Sequence, residues 1–176
     1  SSEPISINLS SEIEDLIEGE VTLMTFFGHA GGSGFDQNID NPENFDWNGK
    51  YPFLIGNACY TGDIHSPSSS STSEEFLLLP EKGVIGFLST VKLGFSSTLN
   101  TYSSELYRQI ARESYGRPVG EQIKSTVAEI DGQGTNLLLV NQVLGMTLHG
   151  DPAIILNSFR QPDYQIEANS VFFEPA

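Results

Sequence analysis

Leu54-Ile55-Gly56-Asn57-Ala58-Cys59 is an apolar run that ends on a thiol, followed at once by the turn-like Tyr60-Thr61-Gly62. A run this short, bounded by glycine and polar residues, reads as a buried strand over 53–58 rather than a helix. Working upstream, Val21 to Phe27 has the same character and ends on Gly28-His29. Working downstream, Gly83 to Ser89 supplies a third such run, and Ala153 to Leu156 a fourth. Helical patterns lie around and between them. Ser10-Ser11 caps a short helix that Gly19 closes, and Thr72 and Glu75 have capping-box spacing ahead of Phe76-Leu77-Leu78-Leu79. Tyr102, Leu106, Tyr107 and Ile110 share one face of a helix over 99–113, and Ile123, Val127 and Ile130 form the stripe of a helix that starts near Pro118. Asn136 to Leu148 reads as a third, mostly buried helix, stopped by His149-Gly150-Asp151-Pro152, with His149 hydrogen-bonded at its end. Strands alternating with helices predict an α/β fold: a mostly parallel sheet covered by helices on both faces.

Composition narrows the function. The 176 residues fit one compact domain, and 38% hydrophobic with 18% charged residues is ordinary for a globular chain. Asp and Glu outnumber Lys and Arg 23 to 8, a formal net charge of −15, which argues against nucleic acid as a partner because phosphate contacts need clustered cations. A field of that sign favours cationic peptides or metal ions. No apolar run reaches the roughly 20 residues of a membrane span. The opening Ser1-Ser2-Glu3-Pro4 has neither region of a signal peptide. Residues 1–158 are expected to form the domain. From 159 to 176 the pattern changes to that of a linker and the first strand of a following β-sandwich-like module.

The chemistry gathers at two strand ends. Ligands meet open parallel sheets at the carboxyl ends of strands, where both His29 and Cys59 are expected. Cys59 is the sole cysteine, so no internal disulfide competes for it. A thiol paired with an imidazole is the pattern of a cysteine nucleophile whose proton the histidine takes and later gives to the leaving amine. The N–H of Cys59, with that of Ala30 or Gly31, would face the oxyanion. His65 is the fallback partner of the thiol. Gly28-His29-Ala30-Gly31-Gly32-Ser33-Gly34 lacks the following helix of a dinucleotide loop, and the histidines lack zinc-site spacing. Asp36, Asn38 and Asp40 alternate like the ligands of a calcium loop, but Asn41 stands where the turn glycine belongs and Trp47 where the closing glutamate belongs. A solvated acidic loop is therefore the expectation there, with a structural calcium as the alternative, and Trp47 is expected in the core.

Thr25-Phe26-Phe27-Gly28-His29-Ala30-Gly31 and Phe53 to Gly62 together resemble the two catalytic segments of the gingipain family, secreted cysteine endopeptidases of the caspase-like clan. Ser73 to Leu78, Lys82 to Phe87 and Gly145-Met146-Thr147-Leu148-His149-Gly150-Asp151-Pro152-Ala153 extend the likeness, in order, over residues 10 to 157. The resemblance implies a caspase-like three-layer sandwich, with His29 as general base and acid, Cys59 as nucleophile, and the N–H groups of Ala30 and Cys59 as the oxyanion hole. It implies a polypeptide substrate cut through a thioester, after Arg or Lys in known members, with no cofactor in the cleavage. It also implies a secreted or cell-surface location, and further strands upstream that this chain would contact. Ala30 stands where the family usually has glycine. The alternatives are a catalytically silent member that only binds, and a surface peptidase that trims sorting signals.

Overall fold

The central strand explains the layering. In β4 (Phe53–Asn57), Phe53 and Ile55 point to one side of the sheet and Leu54 to the other, the period of two that a strand imposes. All five residues are buried, because both faces are covered. The computed structural model describes residues 13–19, 21–31, 34–35, 41–65, 70–132, 134, 136–157 and 159–161. Within them the sheet has the order β1-β4-β5-β6, where β1 is Leu23–Phe27, β5 is Gly86–Thr90 and β6 is Met146–Gly150. The first three strands are parallel; β6 runs antiparallel to β5, with Leu88 opposite Leu148. A separate two-stranded ribbon pairs β2 (Ala30–Gly31) with β3 (Gly34–Phe35).

One face of the sheet packs Leu54 and Phe87 against Ile17 of a helix over residues 13–18 (α1), against Phe45 and Trp47, and against Phe76 of α2 (Thr72–Leu77). Trp47 is 1% exposed and donates its indole N–H to the Pro42 carbonyl at 2.7 Å, so this ring belongs to the core as expected. The aromatic contacts Phe45–Trp47, Trp47–Phe76 and Phe76–Phe87 are edge-on, at 5.9–6.4 Å between centroids. The opposite face packs Phe53, Ile55 and Leu88 against α3 (Ser96–Arg108) and α4 (Val119–Gly132), with α5 (Leu137–Gly145) alongside. Helices on both faces of a mostly parallel sheet give the α/β sandwich expected from the strand–helix alternation.

Several local expectations change. The run over 136–148 divides: α5 stops at Gly145 and the next five residues enter the sheet as β6. His149 is therefore a strand residue rather than a helix-end one, and 153–156 forms no strand. Nor is α5 mostly buried, since Leu137 and Leu144 are 78% and 76% exposed. The capping box at α2 is formed by Ser71 and Glu74, one position before the expected pair. Helix α3 continues into a π-turn, Gln109–Glu113, and β1 is half-buried because it is an edge strand among the described residues. Of the module expected over 159–176, residues 162–176 lie outside the described residues.

Candidate active site

Strand register brings the two predicted reactive residues to one rim. Strands β1 and β4 run parallel with Phe27 opposite Asn57, and the Gly28 N–H donates to the Asn57 carbonyl at 3.3 Å. His29 and Cys59 each lie two residues past that matched pair, at the carboxyl ends of neighbouring strands. His29 is exposed, and Cys59 is half-buried and in no disulfide. Among the described residues the thiol bonds with Gly94: it accepts from the Gly94 N–H at 3.4 Å and donates to the Gly94 carbonyl at 3.7 Å, and no hydrogen bond joins it to His29. Ala30 opens the small ribbon immediately after His29 and is half-buried.

The segment that carries Cys59 is held on many sides. Tyr60 N–H donates to the Lys92 carbonyl and Gly62 N–H to the Thr90 carbonyl, both at 3.0 Å, which ties it to the end of β5. Ser73 N–H donates to the Thr61 carbonyl at 2.9 Å, which ties it to the start of α2. Asn57, wholly buried, accepts from Ser103 Oγ of α3 at 2.7 Å. Tyr60, next to the cysteine, has φ of 58°, a left-handed conformation that costs a non-glycine residue energy and persists only where its surroundings impose it. Among the described residues the N–H of Cys59 itself makes no hydrogen bond, so it is free to donate.

Sequence reasoning missed two participants. Gly94 reaches Cys59 across 35 positions, and the rule that ligands meet the carboxyl ends of strands would have pointed to it, since it follows β5 by four residues. The other is His149, whose Nδ1 lies 2.9 Å from Ser73 Oγ. Burial pushes its pKa below the ordinary value, partly offset by the Glu74 carboxylate. His65 is exposed on the Cys59 segment and its N–H bonds to Asp63 Oδ1 at 3.2 Å. Asp36, Asn38 and Asp40, the expected calcium ligands, lie outside the described residues. Among the described residues no cluster of three or more His, Cys, Asp or Glu has metal-binding geometry, and no helix is long and apolar enough to cross a membrane.

Residues 4–157 match the model of peptidase family C25. No curated protein matches the chain. Its fold is similar to that of the Arg-specific cysteine proteinase gingipain R (RgpB), with a TM-score of 0.67 and 16% identity, over 82% of this chain and 35% of that one. A structure described as a protease gives 0.70 and 13%, over 87% and 38%. The complex of the Porphyromonas gingivalis RgpB pro- and mature domains gives 0.68 and 14%, over 87% and 38%. The chain thus spans little more than a third of the length of these structures, and at such identities the likeness speaks for the fold.

Proposed function

This chain belongs to peptidase family C25, and from that premise we propose that it cleaves peptide bonds with Cys59 as nucleophile and His29 as its proton acceptor and donor. The observation that carries this reading is the β1–β4 register, which puts an imidazole-bearing and a thiol-bearing residue at equivalent places past two paired strand ends. In the proposed reaction, His29 takes the thiol proton as sulfur attacks the substrate carbonyl carbon. The C–N bond breaks with the amine taking that proton, and water then hydrolyses the thioester. The oxyanion would be met by the N–H of Cys59, free among the described residues, and by that of Ala30. The net charge of −15 supports a substrate with a basic residue before the cut bond. An exported or surface location and a structural calcium at Asp36, Asn38 and Asp40 belong to the same reading, as does contact with chain upstream of the sheet. Calcium binding is tested by titration calorimetry on the chain with those three residues replaced by alanine.

The exposed His29, with no hydrogen bond to the thiol among the described residues, favours a second reading: a member that binds peptides without cutting them. Cleavage of peptides with Arg or Lys before the scissile bond, together with labelling by an acyloxymethyl ketone, separates the two. Peptidase activity requires that Cys59→Ala abolish both signals and that His29→Ala slow cleavage by about 10²–10⁴-fold. Labelling of Cys59 no faster than a free thiol, unchanged by His29→Ala, would leave the binding module.

A further inference from the structure

Behind the Cys59 segment runs a chain of polar groups from α2 to β6. Ser71 Oγ lies 2.9 Å from Glu74 Oε2 and 3.0 Å from Ser73 Oγ, and Ser73 Oγ lies 2.9 Å from His149 Nδ1. Counting protons gives this chain a direction. The Glu74 carboxylate also accepts the Ser71 N–H at 2.8 Å, which holds its pKa below the ordinary carboxylate value, so it is ionised at neutral pH and can only accept. Ser71 therefore gives its single hydroxyl proton to Glu74. The Ser71–Ser73 bond must then use the proton of Ser73, and the Ser73–His149 bond must use a proton on Nδ1 of the histidine. The neutral ring is left with a bare Nε2, buried and without a partner among the described residues. That atom faces Gly62, where an added Cβ would come within 3.2 Å of it.

We infer that His149 is a positioning residue for the Cys59 segment: its Nδ1–H fixes Ser73, and its ring forms the floor on which Gly62 rests. Two links transmit this to the thiol. The same Ser73 donates its N–H to Thr61, two residues past Cys59, and Gly62 has space only for a hydrogen between its own Cα and the Ser89 and His149 side chains. Among the described residues no hydrogen bond joins His149 to Cys59 or His29, so the device works at a distance from the chemistry. Its relevance to turnover rests on the reading of Cys59 as the nucleophile.

Substitution distinguishes the two ring nitrogens. Asparagine places an N–H₂ close to where Nδ1 stands, whereas glutamine reaches toward Nε2. In the full chain, ¹⁵N NMR of the wild-type imidazole should show Nδ1 protonated and Nε2 bare, a measurement that needs no variant. Amide exchange at Gly62 and Ser73 should quicken about tenfold, the scale of one lost hydrogen bond, in His149→Ala and His149→Gln, and return toward wild type in His149→Asn. Peptide cleavage should follow the same order through kcat, with KM unmoved. An Nε2–H tautomer, or rescue by glutamine in place of asparagine, overturns the inference. A wild-type chain that neither cleaves nor labels refutes the peptidase reading instead, while the tautomer and the exchange rates still decide whether His149 anchors the segment.

Discussion

The two segments that bring His29 and Cys59 to the rim are built very differently. The Cys59 segment leaves β4, a strand buried along its whole length, and is bonded to the end of β5, to α2 and, through Asn57, to α3. The His29 segment leaves β1, a half-buried strand at the sheet edge among the described residues. There it is tied at the rim by the Gly28 N–H to Asn57, and lower on the strand by Tyr107 Oη donating to Thr25 Oγ1 at 2.9 Å. The sulfur is thus held by its bonds to Gly94 on a segment fixed from several sides, whereas among the described residues the histidine segment is held by strand register, the Tyr107 bond and the pairing of Ala30 with Phe35. Preorganisation of a reacting group lowers the reorganisation needed at the moment of reaction. Under the proposed mechanism, the thiol side of the pair would need less reorganisation than the imidazole side.

The contrast breaks most readily at Gly62. A Cβ there would lie 2.3 Å from Ser89 Oγ and 3.2 Å from His149 Nε2, both in the tightly filled floor of the Cys59 segment. Gly62→Ala should therefore cost about 1–3 kcal/mol by overpacking, read as a drop in the urea midpoint, and should displace the thiol. A change below about 0.5 kcal/mol would mean the floor yields, and the segment is less rigid than its hydrogen bonds imply. Ser103→Ala comes next. It removes the donor to Asn57 Oδ1 in a fully buried place, with an expected loss of about 1–2 kcal/mol that Asn57→Ala in the same chain should partly cancel.

The sequence discloses the rim but not what supports it, for a physical reason. His29 and Cys59 each follow an apolar run within a few residues, so local pattern alone puts them at strand ends. The bonds that hold the thiol join Cys59 to Gly94 and Ser73 to His149, which are 35 and 76 positions apart, and no local pattern encodes them. The misreading of 136–148 has another origin. Leu-rich apolar runs carry no period that separates helix from buried strand, and the break falls at Gly145, where Lys92 packs so closely that a Cβ would lie 2.2 Å from its side chain. Val91 N–H donates to the Gly145 carbonyl at that point, and the chain turns into the sheet beside β5. A reading of 146–148 as helix therefore missed the antiparallel strand. The α2 cap was misplaced by one residue because Ser71/Glu74 and Thr72/Glu75 have equal spacing, and only the extended backbone at Ser71 (ψ 157°) decides between them.

Acid sharpens the comparison, because His149 and Glu74, both with displaced pKa values, sit on the rigid side. His149 is disfavoured in its charged form by burial, against the opposing pull of Glu74, so its folded pKa lies below the ordinary 6.5. The unfolded chain then binds the proton first, and stability present above about pH 6.5 falls as pH drops through the folded value. Glu74, held down by the Ser71 hydrogen bonds, and Glu105, held down chiefly by Arg108, contribute stability that is present above 4.5 and is lost only as pH falls through their lower folded values. Melting temperature should decline in two steps below neutrality, and His149→Asn should remove the upper step alone. A single decline confined below pH 4.5 would leave carboxylates such as Glu74 and Glu105 as the sensitive groups and exclude His149.

The smallest expected change tests the lighter side. His29 is exposed and makes no hydrogen bond among the described residues, so within them its side chain adds no bond to the fold. His29→Ala should leave the unfolding free energy within about 0.5 kcal/mol of wild type, as ordinary surface substitutions do. Under the proposed mechanism the same variant loses about 10²–10⁴-fold in cleavage, since proton transfer in both directions passes through that ring. Thermal unfolding and peptide cleavage measured on one preparation should therefore diverge, the first unchanged and the second largely lost, which is the signature of a group retained for chemistry alone. A stability loss above about 1 kcal/mol would show the imbalance between the two segments to be smaller than their hydrogen bonds indicate, with His29 packed into the rim rather than standing free at its edge.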